Sequence, residues 1–156
     1  MDFPNIILTD TPDATERAGA SVAEALADNS TLPRFVALYG DLGTGKTAFT
    51  RGLIHFFIPQ ATVKSPTFAL LNEYGVKNSR ISKILHFDMY RIGGEEDLYS
   101  TGFYDFLEER GGLIVAEWCE KIPFALPESI IRVKIEKPDL KRPGLRKITI
   151  EKAGET

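Results

Sequence analysis

Residues Gly40-Asp41-Leu42-Gly43-Thr44-Gly45-Lys46-Thr47 spell G-x-x-x-x-G-K-T, and this short run constrains the fold more than any other stretch of the chain. A glycine-rich turn with that spacing lets successive backbone N–H groups converge on a phosphate, the cradle known as a P-loop. Lys46 has the reach to meet β- and γ-phosphate oxygens, and the Thr47 hydroxyl is a ligand for Mg²⁺. Asp41, Leu42, Gly43, Thr44 and Gly45 are expected to line the same cradle. The geometry requires a strand before the loop and a helix after it. Phe35-Val36-Ala37-Leu38-Tyr39 is a short apolar run ending at Gly40, and Phe49, Leu53, Phe56 and Phe57 then recur at helical spacing until Pro59. Strand, loop and helix in that order predict a nucleoside triphosphate held at a helix N-terminus.

The remaining chain reads as alternating elements of an α/β protein. Ile6-Ile7-Leu8 predicts a short strand, and Thr11 followed by Pro12 predicts the capped start of a helix over 12–28. Ala69 to Tyr74 and Ile81 to Asp88 read as a hairpin about a turn at 75–79. Two short helical segments follow near Glu95–Ser100 and Phe103–Arg110, stopped by Gly111-Gly112. Leu113-Ile114-Val115-Ala116 is a buried-strand run ending at Glu117. Ile130–Ile135 and Lys147–Glu151 alternate as an antiparallel C-terminal hairpin. The expected architecture is a P-loop three-layer sandwich with a mixed central sheet, forming a single domain over residues 1–156.

Charge narrows the partners. A net charge of −3 argues against general electrostatic affinity for nucleic acid. The balance reverses between Ile130 and Lys152, where eight basic residues face only Glu136, Asp139 and Glu151. Two readings of that segment stand: a solvated hairpin whose lysines guard a sheet edge, or a weak tRNA- or phosphate-facing patch. Cys119 is the single cysteine, which fits a reducing compartment. No apolar stretch approaches the ~20 residues needed to span a bilayer, and the N-terminus lacks the basic and apolar regions of a signal peptide. No membrane contact and a cytoplasmic location are expected.

A triphosphate–metal complex needs a carboxylate at the end of an apolar strand, because Mg²⁺ keeps several waters and takes few protein ligands. Asp88 and Glu117 both occupy such positions, and a second carboxylate has a second use, orienting the attacking water. Thr67, after Pro66, is a further candidate for the γ-phosphate or the metal, the alternative being an ordinary turn residue. Arg91 suits either transition-state charge or a structural ion pair. Trp118 suits base stacking or core packing. His55 and His86 lack metal-ligand spacing and read as packing residues.

Taken in order, G-D-L-G-T-G-K-T at 40–47, S-P-T-F at 65–68, H-F-D-M-Y-R at 86–91 and A-E-W at 116–118 resemble the TsaE family, formerly YjeE. These are P-loop ATPases of bacterial tRNA threonylcarbamoyladenosine synthesis. The resemblance covers most of the chain. It implies ATP and Mg²⁺ as cofactors and support for the modification of adenosine 37 in tRNA, with the transfer chemistry carried by the partner pair TsaB–TsaD. It further implies phosphate and metal roles for Lys46 and Thr47, a switch-like role for Thr67, and the acidic strand position for Asp88. Glu117 is implied in hydrolysis and Trp118 near the nucleotide. Cys119 departs from the family, which often has Pro after the E-W pair. That alters a turn preference and leaves the chemistry intact.

Two other P-loop classes compete. A small-molecule kinase requires an acceptor pocket and usually an arginine-rich lid, yet only Arg91 and Arg110 lie between the acidic strand and Glu117. A GTPase-like switch has no support, since Asp88 is followed by Met89-Tyr90-Arg91 and no N-K-x-D motif occurs.

Overall fold

The computed structural model describes residues 1–66 and 70–154. Its elements are β1 (Asn5–Thr9), α1 (Pro12–Asp28), β2 (Phe35–Tyr39), α2 (Lys46–Phe57), β3 (Leu71–Gly75), β4 (Lys83–Asp88), α3 (Glu95–Ser100), α4 (Phe103–Leu107), β5 (Gly112–Glu117), β6 (Ile130–Glu136) and β7 (Arg146–Ala153). The sheet runs β1-β7-β6-β2-β5-β4-β3. β2 lies parallel to both β5 and β6, and β4 parallel to β5. Antiparallel pairs β1–β7, β6–β7 and β3–β4 close the two sides.

Strand alternation divides the core into two layers. From β2 and β5, Val36, Leu38, Leu113 and Val115 pack with Val22, Leu26, Phe49 and Leu53 of α1 and α2. Phe35, Ala37, Ile114 and Ala116 point the other way, where Leu98 of α3 and Phe103 of α4 join Leu85 and Phe87. The mixed three-layer sandwich expected from the sequence is what forms. The two long helices cross at glycines: a Cβ on Gly52 would stand 1.8 Å from the Glu16 carbonyl oxygen, and one on Gly19 2.0 Å from that of Phe49. No larger residue permits that approach, and it seats α2 with its N-terminus at the end of β2.

Thr11 caps α1 as predicted, its side chain accepting from the Ala14 N–H at 3.1 Å, with Pro12 opening the helix. Two expectations need correction. Phe56 does not join the buried stripe of α2: it is 43% exposed, with its ring set edge-on against Phe57, because the buried face centres on Gly52, Leu53 and Ile54. The basic C-terminal hairpin does not guard an edge either. β1 pairs along β7, so β6 and β7 are interior strands and the edge falls on β1.

Candidate nucleotide site

The cradle forms where β2 runs into α2. Gly43 and Gly45 take φ of 74° and 110°, values that side-chain-bearing residues avoid. Gly45 caps α2 without any side-chain hydrogen bond to the helix N-terminus, so no side-chain cap competes for its first N–H groups, as an anion site requires. The loop is held from three directions. Thr44 Oγ1 donates to the Asp41 carbonyl at 2.9 Å. The Gly40 N–H donates to Glu120 Oε2 at 2.8 Å. From the start of β7, Arg146 donates through Nε to the Thr44 carbonyl at 2.8 Å and through Nη2 to that of Gly43 at 3.2 Å.

Lys46 is 5% exposed. Its Nζ donates to the carbonyls of Gly40 at 2.5 Å and Asp41 at 2.9 Å, and it lies 4.2 Å from the centroid of the Trp118 ring. Burial pulls its pKa below the usual lysine value, while Glu117, Glu120, Asp88 and Asp41 work in the opposite sense. The ammonium is thus folded onto its own loop, with carbonyl oxygens occupying the place that phosphate oxygens are suited to take.

The acidic side follows from register. In β4, Ile84, His86 and Asp88 share the face turned to α2, and in β5 so do Leu113, Val115 and Glu117. Asp88 pairs with Glu117 across the two strands. Glu117, 2% exposed, accepts from Thr47 Oγ1 at 3.2 Å through Oε1 and meets His86 Nε2 at 2.5 Å through Oε2. Thr47 also meets Ser65 Oγ at 3.0 Å. Burial pushes the Asp88 carboxyl up, and the nearby Glu117 adds to that rise, against the Tyr90 N–H that Asp88 accepts at 3.0 Å. Trp118 adopts φ 61° and ψ 44°, an unusual conformation for a bulky side chain. Its ring lies between Lys46 and Tyr90, 4.9 Å from the latter.

A cavity of about 320 Å³ gathers Leu42, Gly43, Thr44, Gly45, Lys46, Thr47, Ser65, Asp88, Glu117 and Trp118. A larger groove of about 670 Å³ adjoins it on the β6 side, bounded by Tyr39, Asp41, Leu42, Lys137 and Leu140. Nearly every residue expected at the site therefore lines one of two contiguous spaces. Thr67 lies outside the described residues. Arg91 is exposed and borders a second small cavity with Pro66, Tyr90 and Asp88, the last of which also lines the first. Cys119 is buried, its thiol pushed upward by desolvation. The sequence reading missed His86, Ser65, Glu120 and Arg146, whose roles depend on contacts distant along the chain.

The donor set suits a hard cation bridged to phosphates. The hydroxyl residues Thr44, Thr47 and Ser65 and two carboxylates share the small cavity with the glycine-rich loop, while the described residues contain no cluster of three or more His, Cys, Asp or Glu side chains able to hold a metal by themselves.

Strand, cradle, helix and facing carboxylates define a P-loop NTPase-like protein. The fold aligns with the crystal structure of YdiB from Bacillus subtilis at a TM-score of 0.71, over 99% of this chain and 88% of that one, with 23% sequence identity. The family model for "Threonylcarbamoyl adenosine biosynthesis protein TsaE" matches residues 9–147. A tRNA threonylcarbamoyladenosine biosynthesis protein TsaE from Rickettsia conorii is 38% identical over 80% of this chain and 69% of its own length. The proteins of the same description from Haemophilus influenzae and Treponema pallidum are 39% and 32% identical, over 77% and 87% of this chain and 74% and 92% of theirs. The chain belongs to the TsaE family, whose role lies in tRNA threonylcarbamoyladenosine biosynthesis. No helix among the described residues is long and apolar enough to cross a membrane.

Proposed function

We propose that this chain is the ATP-binding, ATP-hydrolysing subunit that serves threonylcarbamoylation of adenosine 37 in tRNA, acting as one domain with a TsaB–TsaD complex. The observation that carries the reading is the convergence of Lys46, Thr47, Asp88 and Glu117 on one cavity bounded by the cradle. In this reading Lys46 turns from its loop carbonyls to β- and γ-phosphate oxygens, and Thr47 with Asp88 holds Mg²⁺ or its waters. The metal, when bound, neutralises phosphate charge. Glu117 orients or deprotonates the attacking water. The nucleoside extends away from the carboxylates into the groove bounded by Leu42 and Leu140, which are 66% and 93% exposed.

No arginine borders the small cavity among the described residues. That disfavours the kinase alternative and is consistent with slow turnover in isolation, since an arginine contributed by another protein raises phosphoryl-transfer rates by about 10³–10⁵-fold. Arg146 is engaged by the cradle, and Arg132 and Lys134 pair with Glu151 and Glu136; Lys137, Lys141, Arg142, Lys147 and Lys152 are the basic residues of the 130–152 segment that would serve a weak tRNA or partner contact. The test is co-elution with purified TsaB–TsaD. Retention in the presence of Mg–ATP that is lost for Lys46→Ala supports the assignment, and nucleotide-independent failure to associate refutes the partnership.

A further inference from the structure

A short polar contact between neighbouring strands joins His86 of β4 to Glu117 of β5. His86 is 0% exposed and Glu117 2% exposed, with His86 Nε2 and Glu117 Oε2 2.5 Å apart. A contact that short requires one hydrogen between the two atoms. The other ring nitrogen, Nδ1, is buried and has no hydrogen-bond partner among the described residues. A protonated Nδ1 there would be a donor stripped of water with nothing to accept it, a costlier state than a bare lone pair. The arrangement therefore selects the tautomer carrying hydrogen on Nε2, which donates to the Glu117 carboxylate.

Packing alone gives no reason for this pair. His86 pairs in register with Val115, and its β4 neighbours Leu85 and Phe87 are fully buried. Replacing a buried polar pair by well-packed apolar side chains is often neutral or stabilising, and the unpartnered Nδ1 adds a cost that a leucine would not carry. The pair does have a direction. With Oε2 tied to His86, the second oxygen, Oε1, faces Thr47 Oγ1 at 3.2 Å and the cavity formed by the cradle.

We infer that His86 is a positioning residue for Glu117, fixing the carboxylate rotamer through an Nε2–H donation so that one oxygen alone is presented to the reacting end of the triphosphate. The inference rests on the reading of Glu117 as the hydrolytic carboxylate. Second-sphere donors of this kind change activity by about 10–100-fold when removed. Because the ring is buried and does not line the cavity, its loss is expected to act on the chemical step and to leave binding in place.

The test compares His86→Phe, which fills the volume without a donor, with His86→Gln, whose side-chain amide restores one. Mg–ATP affinity by calorimetry and single-turnover hydrolysis are measured on both. His86→Phe is expected to bind Mg–ATP within about twofold of the parent and to hydrolyse it about 10–100-fold more slowly, with His86→Gln recovering most of the loss. The nucleotide-free protein supplies an independent readout: ¹⁵N imidazole shifts of His86 are expected to report a protonated Nε2 and a bare Nδ1. Hydrolysis at the parental rate in His86→Phe overturns the inference, as do equal losses in the two variants or a proton found on Nδ1. If His86→Phe does not fold, the glutamine variant and the imidazole spectrum decide. A Glu117→Gln variant run alongside separates the two claims: parental hydrolysis there removes the role of Glu117 itself, whereas slow Glu117→Gln beside parental His86→Phe removes only the role of His86.

Discussion

Arg146 Nε stands 2.8 Å from the carbonyl oxygen of Thr44, 102 residues earlier in the chain. The same guanidinium donates to Gly43 in the cradle and to Pro143 and Leu145 in its own loop. One planar, multi-donor group thus fastens the phosphate loop to the C-terminal hairpin. Tying the Gly43 and Thr44 carbonyls to the start of β7 fixes the orientation of two peptide groups of the loop.

Arg146→Ala is expected to weaken Mg–ATP binding by about tenfold, the equivalent of one lost hydrogen bond to a charged group. Arg146→Lys should not recover it, because an ammonium cannot reproduce the fork. Calorimetric titration of the two variants checks this, and full recovery by lysine would show that charge alone matters.

Trp118 is the only tryptophan of the chain, and its ring faces the Lys46 ammonium at 4.2 Å. When Lys46 engages phosphate, that cation leaves or shifts over the indole, and the emission must respond. Intrinsic fluorescence is expected to titrate with Mg–ATP in the parent protein and to stay flat for Lys46→Ala over the same range. A parental signal in Lys46→Ala, in a folded protein, would detach the lysine from the site.

Asp88 sets function against stability. Its carboxyl is pushed up by burial and then by Glu117, so the folded state holds this proton more tightly than the unfolded chain does. Such a group costs stability once ionised, and the cost disappears as pH falls below the ordinary carboxylate value of 3.8. Asp88→Asn is therefore expected to melt at a higher temperature than the parent near neutral pH without nucleotide, the gap closing in acid. The same variant should lose the Mg²⁺-dependence of ATP binding. Melting curves across pH, paired with titrations with and without magnesium, check both halves. A lower melting temperature at neutral pH would mean that the ionised carboxylate supports the fold.

Much of this was legible in the sequence because the signals are local. The G-x-x-x-x-G-K-T run, the strand before it and the helix after it fall within Phe35–Phe57, and the Thr11–Pro12 cap announces α1 within two residues. Asp88 and Glu117 were found because each ends an apolar strand. What escaped depended on register and long-range contact. His86 looked like a packing residue because its partner lies 31 positions away and meets it only when β4 and β5 lie in parallel register. Arg146 was one positive charge among eight until the fold brought it beneath the cradle. Phe56 kept helical spacing yet escaped burial, since periodicity does not say where the facing surface ends.

The central claim, that the cradle and the facing carboxylates bind and hydrolyse ATP, is tested most directly at Glu117. Phosphates, Thr47 and waters ordered by Asp88 suffice to hold a magnesium–triphosphate complex, so Glu117→Ala should bind Mg–ATP much as the parent does. Single-turnover hydrolysis by the same variant should fall by about 10²–10⁴-fold, the usual contribution of a group that activates or orients water. Retained binding with hydrolysis at the parental rate would make Glu117 a structural carboxylate and contradict the account.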